Sequence, residues 1–323
     1  MLSKEENIYP SERLLSVDRI RGAAVIIMVI GNYIAGVDII PTFLKHAKDI
    51  GFTVADIVAP FFLLAIGLTY KMSYERRLLR DGGLKTTMHF VTRYCTLIGI
   101  GAIFTAGSVS AANIPSNWGV LQAIGVAGLI TLVFIRFNAA ARTAAALVIL
   151  ILYQISLNRF WLDAVLSSDH GGFYGALSWT ALLLLSTVAA ELFFKKKAFC
   201  WIFASGLSIA GAVSAFFVPV SKNRVSLSYV LISLAICTLI FLIFDYLNSK
   251  VTVSAGFFVW WGENPVILYI LHLIILGVFT LPNIPFWYKE APVWLILLQV
   301  CFIVFVLSAI AYKMHIKKVK ISF

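Results

Sequence analysis

The chain is a succession of long apolar runs separated by short polar stretches. Each run has about 20 residues, which is the length a helix needs to cross the roughly 30 Å hydrocarbon core of a membrane. The runs lie near 20–38, 52–70, 88–109, 118–136, 139–157, 173–194, 198–219, 227–247, 264–281 and 292–312. This pattern predicts an all-α integral membrane protein with about ten transmembrane helices. The loops are too short for a second domain, so residues 1–323 are expected to form a single polytopic domain.

The ninth run is interrupted by the sequence Gly-Glu-Asn-Pro at 262–265. Asn is favoured at a helix cap and Pro at the first helical position, so we expect the ninth helix to begin at Pro265. The aromatic segment Phe257–Trp261 is then a short interfacial or re-entrant piece, which needs protein or a wet cavity beside it at membrane depth. A plain loop with an aromatic belt is the alternative.

Composition and charge narrow the class and predict an orientation. Apolar residues make up 61% of the chain and charged residues 13%, which excludes a soluble enzyme, a disordered chain and a coiled coil. The same composition excludes a nucleic-acid binder despite the net charge of +11. About 20 of the 26 Lys and Arg residues fall in segments that share one predicted side of the membrane. The positive-inside rule therefore predicts that both termini are cytoplasmic.

The polar N-terminal stretch predicts no signal peptide. The four cysteines lack paired spacing, which predicts buried thiols and no zinc site.

Ionisable residues in or near the spans are candidates for function, because they are costly there. Asp56 lies one turn inside the second span, and His46 precedes it at the predicted outer side. A histidine can act as a base near neutral pH while a carboxylate orients it. The alternative without function is that His46 is a solvated loop histidine and Asp56 a charge at the start of a helix. His272, near Tyr269 in the ninth helix, is either structural or functional. His170 is expected to be an outer-loop residue.

Basic residues collect on the predicted inner side. Arg76 and Arg77 follow the second span, with Arg21 and Arg93 at the same face. Membrane topology and anionic lipid explain such a cluster, and an anionic ligand such as a nucleotide is the alternative. Gln122 opens the fourth span, where amides often join helices.

Several of these positions together resemble a known family. Residues 12–32, ERLLSVDRIRGAAVIIMVIGN, and residues 44–67, LKHAKDIGFTVADIVAPFFLLAIG, are similar to the opening of the transmembrane heparan-α-glucosaminide N-acetyltransferase family and its bacterial relatives. Weaker similarities are GVLQAIG at 119–125, DHGGFYGALSW at 169–179 and WGENPVILYILH at 261–272. Three features depart from the family pattern. Tyr33 follows Asn32 where relatives often have a second Asn and a Pro. Ala123 stands where Arg is usual, and the tetrapeptide 169–172 lacks the usual Pro and Glu.

The resemblance implies a transmembrane acyltransferase. It would move an acetyl group from cytosolic acetyl-CoA to an amine or hydroxyl of a sugar or glycan at the outer face, with His46 as general base. Asp56 would orient that histidine, and Asn32, Asn264 or His272 would polarise the carbonyl. The residues implied in substrate or donor binding are Arg21, Arg76, Arg77, Gln122, Asn264 and His272. An acetyl-histidine intermediate and direct transfer both remain open.

The resemblance also implies partners and a location. Acetyl-CoA would be the acyl donor and an amino sugar or glycan the acceptor, with membrane lipid around a monomer or homodimer. No metal and no nucleic acid are expected, and the compact loops suggest a bacterial inner membrane. A transporter or carrier with a midplane site at the broken ninth helix is the alternative function.

Overall fold

The computed structural model describes residues 15–106, 116–250, 256–282 and 284–320, and every regular element in these ranges is helical. The polar residues 1–14, on which the prediction about a signal peptide rests, lie outside them. The helices are α1 Leu15–Ile34, α2 Val58–Asp81, α3 Gly83–Thr105, α4 Val120–Phe134, α5 Ala139–Ser156, α6 Leu162–Leu166, α7 Gly172–Lys195, α8 Lys197–Ala215, α9 Leu227–Lys250, α10 Gly256–Glu263, α11 Pro265–Thr280 and α12 Val293–Ile316.

A helix lies in each of the ten predicted segments, but fewer of them meet the requirements for a membrane span. Six helical stretches are long and apolar enough, and the bent pair α10–α11 would make a seventh. The other segments are weaker: α4 has only 15 residues, and α1 carries Asp18, Arg19 and Arg21 in its first two turns. The all-helical membrane class is therefore supported. The count of ten spans and the sides of the termini stay predictions.

Helix α7 forms the centre of the bundle. About 83% of its most apolar stretch is buried, and it packs against α2, α4, α5, α8 and α9. Glu191 near its end accepts hydrogen bonds from the fully buried Arg142 on α5, from Lys71 on α2 at 2.7 Å and from Lys195 at 2.8 Å. A buried charge is tolerated only when it is paired, so this cluster fixes α2 and α5 against α7.

Three helices lie at the periphery and present apolar side chains outward. Only 33%, 22% and 28% of the most apolar stretches of α5, α8 and α12 are buried. Cys95 on α3 and Cys301 on α12 are also exposed, so the prediction that all four cysteines are buried is wrong for these two. Periodicity alone does not distinguish a lipid-facing run from a buried one, because both are apolar.

The break in the ninth run is confirmed, with α11 beginning at Pro265 and bent by 86° from α10. A close crossing of α10 with α1 accompanies this bend. A β-carbon on Gly22 would lie 1.9 Å from the Phe258 carbonyl oxygen, and one on Gly262 would lie 1.9 Å from the Asp18 carbonyl oxygen. The two backbones therefore touch at a point where only glycine fits.

Candidate active site

His46 lies on the long loop between α1 and α2. At this end of the bundle α1 and α8 end while α2, α7 and α9 begin, and we call it the His46 end. Before α2, residues Thr53–Ile57 form a capped 3₁₀ turn in which the Asp56 carboxylate accepts hydrogen bonds from the Thr53 backbone N–H and hydroxyl, both at 3.0 Å. Contacts within four residues of sequence thus hold the carboxylate in place.

The Asp56 carboxylate also fixes the imidazole of His46. Nδ1 of His46 lies 2.8 Å from Oδ1 of Asp56, and the Asp56 side chain is fully buried while 38% of the His46 side chain is exposed. Because a carboxylate only accepts hydrogen bonds, Nδ1 carries the proton and Nε2 is left as the basic nitrogen. This is the arrangement of a general base held in one tautomer.

The surroundings of His46 favour the neutral imidazole. Loss of water lowers its pKa below 6.5, the hydrogen bond to Asp56 opposes this, and the positive charge of Lys222 lowers the pKa further. A base that is neutral at physiological pH is ready to accept a proton.

His46 and Asp56 line a cavity with an empty volume of about 780 Å³, which we call the His46 cavity. Asn32 on α1 lines it as well, so the structure brings together the three residues that the sequence suggested as catalytic. The remaining wall is largely apolar, with side chains from α1, α2, α4 and α11. This lining is typical of a small-molecule site, where a few polar groups orient a ligand in an apolar cavity.

Two further residues in the wall were missed by the sequence reasoning. Lys222 and His170, the latter expected to be an outer-loop residue, both line the His46 cavity. His170 adopts a left-handed conformation with φ 54°, followed by Gly171 and Gly172, which also have positive φ. The Gly pair was the one available signal of a tight turn at this helix start, and nothing in the sequence pointed to Lys222.

The loop that carries Lys222 is bound to the loop that carries His46. The guanidinium of Arg224 forms an ion pair with the Asp49 carboxylate, and Ser221 Oγ donates to the same carboxylate at 3.1 Å. The ion pair lowers the pKa of Asp49 and raises that of Arg224. The Gly51 N–H also donates to the Val220 carbonyl oxygen at 2.8 Å. These bonds hold the two loops in one register at the cavity mouth.

A second cavity, with an empty volume of about 1170 Å³, opens toward the other end of α1 and is called here the Arg21 cavity. Arg21 and Arg93 line it together with Glu263 and the aromatic residues Tyr70, Phe90 and Tyr94. Four apolar residues line both cavities, so the two lie back to back inside the bundle. They are Phe62, Leu121, Ile124 and Val266.

Asn32 connects the His46 cavity to the broken helix. Its amide nitrogen lies 2.9 Å from Nε2 of His272, which is buried in α11 with its ring over Tyr269. Because an amide nitrogen only donates, His272 accepts through Nε2 and carries its own proton on Nδ1. His272 thus orients Asn32, and only Asn32 reaches the cavity wall.

The remaining predicted residues lie outside both cavities. Gln122 donates to Thr105 Oγ1 at 2.7 Å and accepts from the Gly119 N–H at 3.1 Å, which caps α4. Asn264 donates to the Val319 carbonyl oxygen at 3.0 Å, so its side chain does not cap α11. Arg76 and Arg77 line neither cavity. Within the described ranges no three His, Cys, Asp or Glu side chains are placed to hold a metal ion.

The sequence of this chain matches a known protein family over the region that contains His46 and Asp56. The family model described as "Heparan-alpha-glucosaminide N-acetyltransferase, catalytic" matches residues 13–216, well over half of the chain. The chain belongs to this family. The match runs from α1 to the end of α8 and includes His46, Asp56 and His170. Lys222 and the broken helix lie beyond it.

Two curated relatives belong to the same N-acetyltransferase family. The chain is 35% identical over 123 residues to heparan-alpha-glucosaminide N-acetyltransferase of Mus musculus, and 36% identical over 121 residues to that of Homo sapiens. These alignments cover 36% and 35% of the chain but only 18% of each relative's length. The shared part is therefore a small portion of the relatives.

Proposed function

We propose that the chain is a transmembrane N-acetyltransferase that takes acetyl-CoA at the Arg21 cavity and acetylates an amino sugar at the His46 cavity. The observation that carries this proposal is the pair of back-to-back cavities. One holds an oriented histidine and the other holds arginines, and they share a thin apolar wall. A reaction with its two substrates on opposite sides of a membrane needs two such openings and a short path between them.

The Arg21 cavity has the chemistry to hold the donor. Arg21 and Arg93 supply guanidinium groups, which bind phosphate through several donors in a fixed geometry. Tyr70 and Tyr94 stack with ring centroids 5.6 Å apart, and an aromatic surface of this kind suits a flat adenine ring. The uncharged thioester arm would then extend along the apolar wall toward His46.

At the other cavity, Nε2 of His46 would accept a proton from the acceptor amine as the nitrogen attacks the thioester carbonyl carbon. The new C–N bond forms, the C–S bond breaks, and the proton passes from His46 to the departing sulfur, which leaves as the CoA thiol. Asp56 would stabilise the imidazolium formed in between. An acetyl group carried on His46 itself is a variant with the same overall balance.

Asn32 is suited to stabilise the developing oxyanion. Its amide nitrogen is a donor at the cavity wall, and the hydrogen bond to His272 fixes its orientation. Preorganised donors of this kind contribute about 3–4 kcal/mol to transition-state stabilisation in other acyl transfers. His272 would then act as a positioning residue.

The direct test is His46→Gln in purified protein supplied with labelled acetyl-CoA and glucosamine. We expect transfer to fall by at least about 100-fold, because a general base contributes about 10²- to 10⁴-fold, while binding of CoA is retained. His89→Gln is the matched control, since His89 lines neither cavity. Undiminished transfer by His46→Gln would overturn the assignment.

Direction is tested in sealed vesicles. Donor and acceptor supplied on opposite sides should react, whereas both supplied outside should not.

The bent pair α10–α11 favours one competing function, a carrier with a site at the break. Uptake of labelled sugar without acetyl-CoA would support the carrier and oppose the transferase. A bacterial inner membrane, surrounding membrane lipid and a homodimer are further parts of this proposal, and O-acetylation of a glycan is an alternative acceptor chemistry.

A further inference from the structure

Gly31 on α1 is a helix residue whose lack of a side chain serves neither the backbone nor the packing. Its φ is not positive, so the backbone does not require glycine. A β-carbon built on it would have no atom within 4 Å, so no neighbouring element approaches closely here, in contrast to the crossing at Gly22. Glycine in the interior of a helix costs stability relative to alanine. Gly31 therefore keeps open a space that the fold itself does not need.

This space belongs to the His46 cavity, because Gly31 lines that cavity together with Met28 and Asn32 of the same helix. Other glycines inside the described helices would also take a β-carbon with no atom within 4 Å, but they are exposed residues that line neither cavity. They are Gly99, Gly206 and Gly277. An open position at Gly31 therefore faces a possible ligand, whereas at the other glycines it faces the outside of the protein.

The next residue, Asn32, indicates which part of a substrate would occupy the space. Its amide nitrogen is the donor that the proposed function assigns to the thioester carbonyl oxygen. The acyl chain is bonded to the same carbon as that oxygen. Since the α-carbons of Gly31 and Asn32 are about 3.8 Å apart, the first carbons of the acyl chain would lie beside Gly31.

The part of the cavity wall formed by α1 and α2 suits an alkyl chain better than a sugar. The apolar side chains that these two helices contribute are Met28, Val58, Ala59 and Phe62. A sugar hydroxyl buried against them would lack a hydrogen-bond partner, which is costly. A CH₂ group in the same place gains free energy because it leaves water. The acceptor is therefore left to the side of the cavity that His46 occupies.

We propose that Gly31 opens an acyl pocket in the His46 cavity that admits a group one carbon longer than acetyl, so that propionyl-CoA is a donor as well as acetyl-CoA. This inference rests on the proposed transferase function and names the length of the group that is transferred. The reaction balances as it does for acetyl. The C–N bond forms, the C–S bond breaks, and the amine proton ends on the CoA sulfur. The residue at position 31 sets the length limit, since a side chain there fills the pocket.

The test is a competition between acetyl-CoA and propionyl-CoA for glucosamine in purified protein, with both amide products measured by mass spectrometry. The product ratio gives the ratio of the two kcat/KM values. A methylene that an apolar pocket cannot accommodate lowers kcat/KM by about 10- to 200-fold, so the wild type should use the two donors within about tenfold of each other. Gly31→Ala should shift the ratio toward acetyl by about 10- to 200-fold, because its methyl group takes the place of the extra carbon.

Gly206→Ala is the matched control, because it adds the same methyl group to a helix glycine that lines neither cavity, and it should leave the donor ratio unchanged. The thermal unfolding temperature of Gly31→Ala should equal or exceed that of the wild type, since alanine favours the helix. A lower temperature would show that the space is not open and would overturn the pocket. An unchanged donor ratio in Gly31→Ala, a rise in the KM for glucosamine alone, or exclusion of propionyl-CoA by the wild type would do the same.

Binding of each CoA thioester without acceptor, measured by calorimetry, separates this inference from the proposed function. If the wild type transfers neither group but Gly31→Ala weakens the binding of propionyl-CoA alone by about tenfold or more, the pocket stands and the transferase falls. Without that binding response, both fall. If acetylated glucosamine forms and neither the donor ratio nor the binding of propionyl-CoA responds to Gly31→Ala, the transferase stands and the pocket falls.

Discussion

Replacement of Asp56 by asparagine tests whether the carboxylate is needed to hold His46 as a base. The carboxylate accepts three hydrogen bonds of 3.0 Å or less, one from His46 and two from Thr53. In Asp56→Asn, one oxygen becomes an NH₂ group that only donates. If it faces His46, Nδ1 must accept and the proton moves to Nε2. If the new NH₂ group faces Thr53, it meets the Thr53 backbone N–H, so two hydrogen-bond donors oppose each other in a buried site.

The first orientation removes the base without removing the ring. Holding a histidine in the wrong tautomer lowers turnover by as much as about 10⁴-fold in other enzymes, and general base catalysis as a whole contributes about 10²- to 10⁴-fold. We therefore expect kcat of Asp56→Asn to fall by at least about 100-fold, with little change in the affinity for the donor. Initial rates with labelled acetyl-CoA measure the first quantity, and CoA-induced quenching of tryptophan fluorescence measures the second.

The pH profile gives an independent sign. His46 is inactive when protonated, so the rate should rise as pH increases through its pKa, which lies below 6.5. Asp56 raises that pKa through its hydrogen bond and charge. The midpoint of the residual activity in Asp56→Asn should therefore move to lower pH. Titration of the acceptor amine affects both proteins equally and cancels in the comparison.

Asp38→Asn is the control, because Asp38 is an exposed acidic residue of the same loop. Its backbone N–H donates to the Lys289 carbonyl oxygen at 2.7 Å, and this bond does not depend on the side chain. It should leave both the rate and the midpoint unchanged. The reasoning is refuted if Asp56→Asn keeps its rate within about threefold, or if its midpoint moves to higher pH while the thermal unfolding temperature is that of the wild type.

Two predictions concern stability. Gly22→Ala should lower the free energy of unfolding by about 1–3 kcal/mol or more, because the new β-carbon would lie 1.9 Å from the Phe258 carbonyl oxygen and force α1 and α10 apart. Glu191→Gln should cost about 3–5 kcal/mol, because it leaves the fully buried Arg142 without its carboxylate. Thermal unfolding in detergent, followed by tryptophan fluorescence, measures both.

Each of these has a matched comparison. Gly206→Ala adds a β-carbon with no atom within 4 Å, so it should leave the unfolding temperature unchanged or raise it. Glu75→Gln removes a partly exposed carboxylate that lies 3.7 Å from Lys71, and it should have almost no effect. Equal unfolding temperatures for Gly22→Ala and Gly206→Ala would show that the close crossing of α1 and α10 is not required for stability. Equal unfolding temperatures for Glu191→Gln and Glu75→Gln would show the same for the buried charge cluster.

The sequence by itself determined the features that depend on neighbouring residues. Apolar runs of the right length located the helices, and Asn-Pro located the start of α11 at Pro265. The pairing of His46 with Asp56 could be predicted from the sequence for the same reason. Ten residues separate the two, and the Thr53–Asp56 turn is closed by its own capping bonds. A local hydrogen-bond pattern needs no knowledge of the rest of the chain.

The tertiary structure alone decided which distant residues join that pair. Lys222 and His170 reach the cavity from loops more than a hundred positions away in sequence, held by contacts such as Arg224 with Asp49. Gln122 is kept out of the site by contacts closer in sequence, since its side chain accepts from the Gly119 N–H at the start of α4 and donates to Thr105 on the adjacent α3. In a membrane protein every span is apolar, so the pattern locates helices but carries little information about which faces meet. The location of a charged loop residue, in the solvent or in a cavity wall, is fixed only when those faces pack.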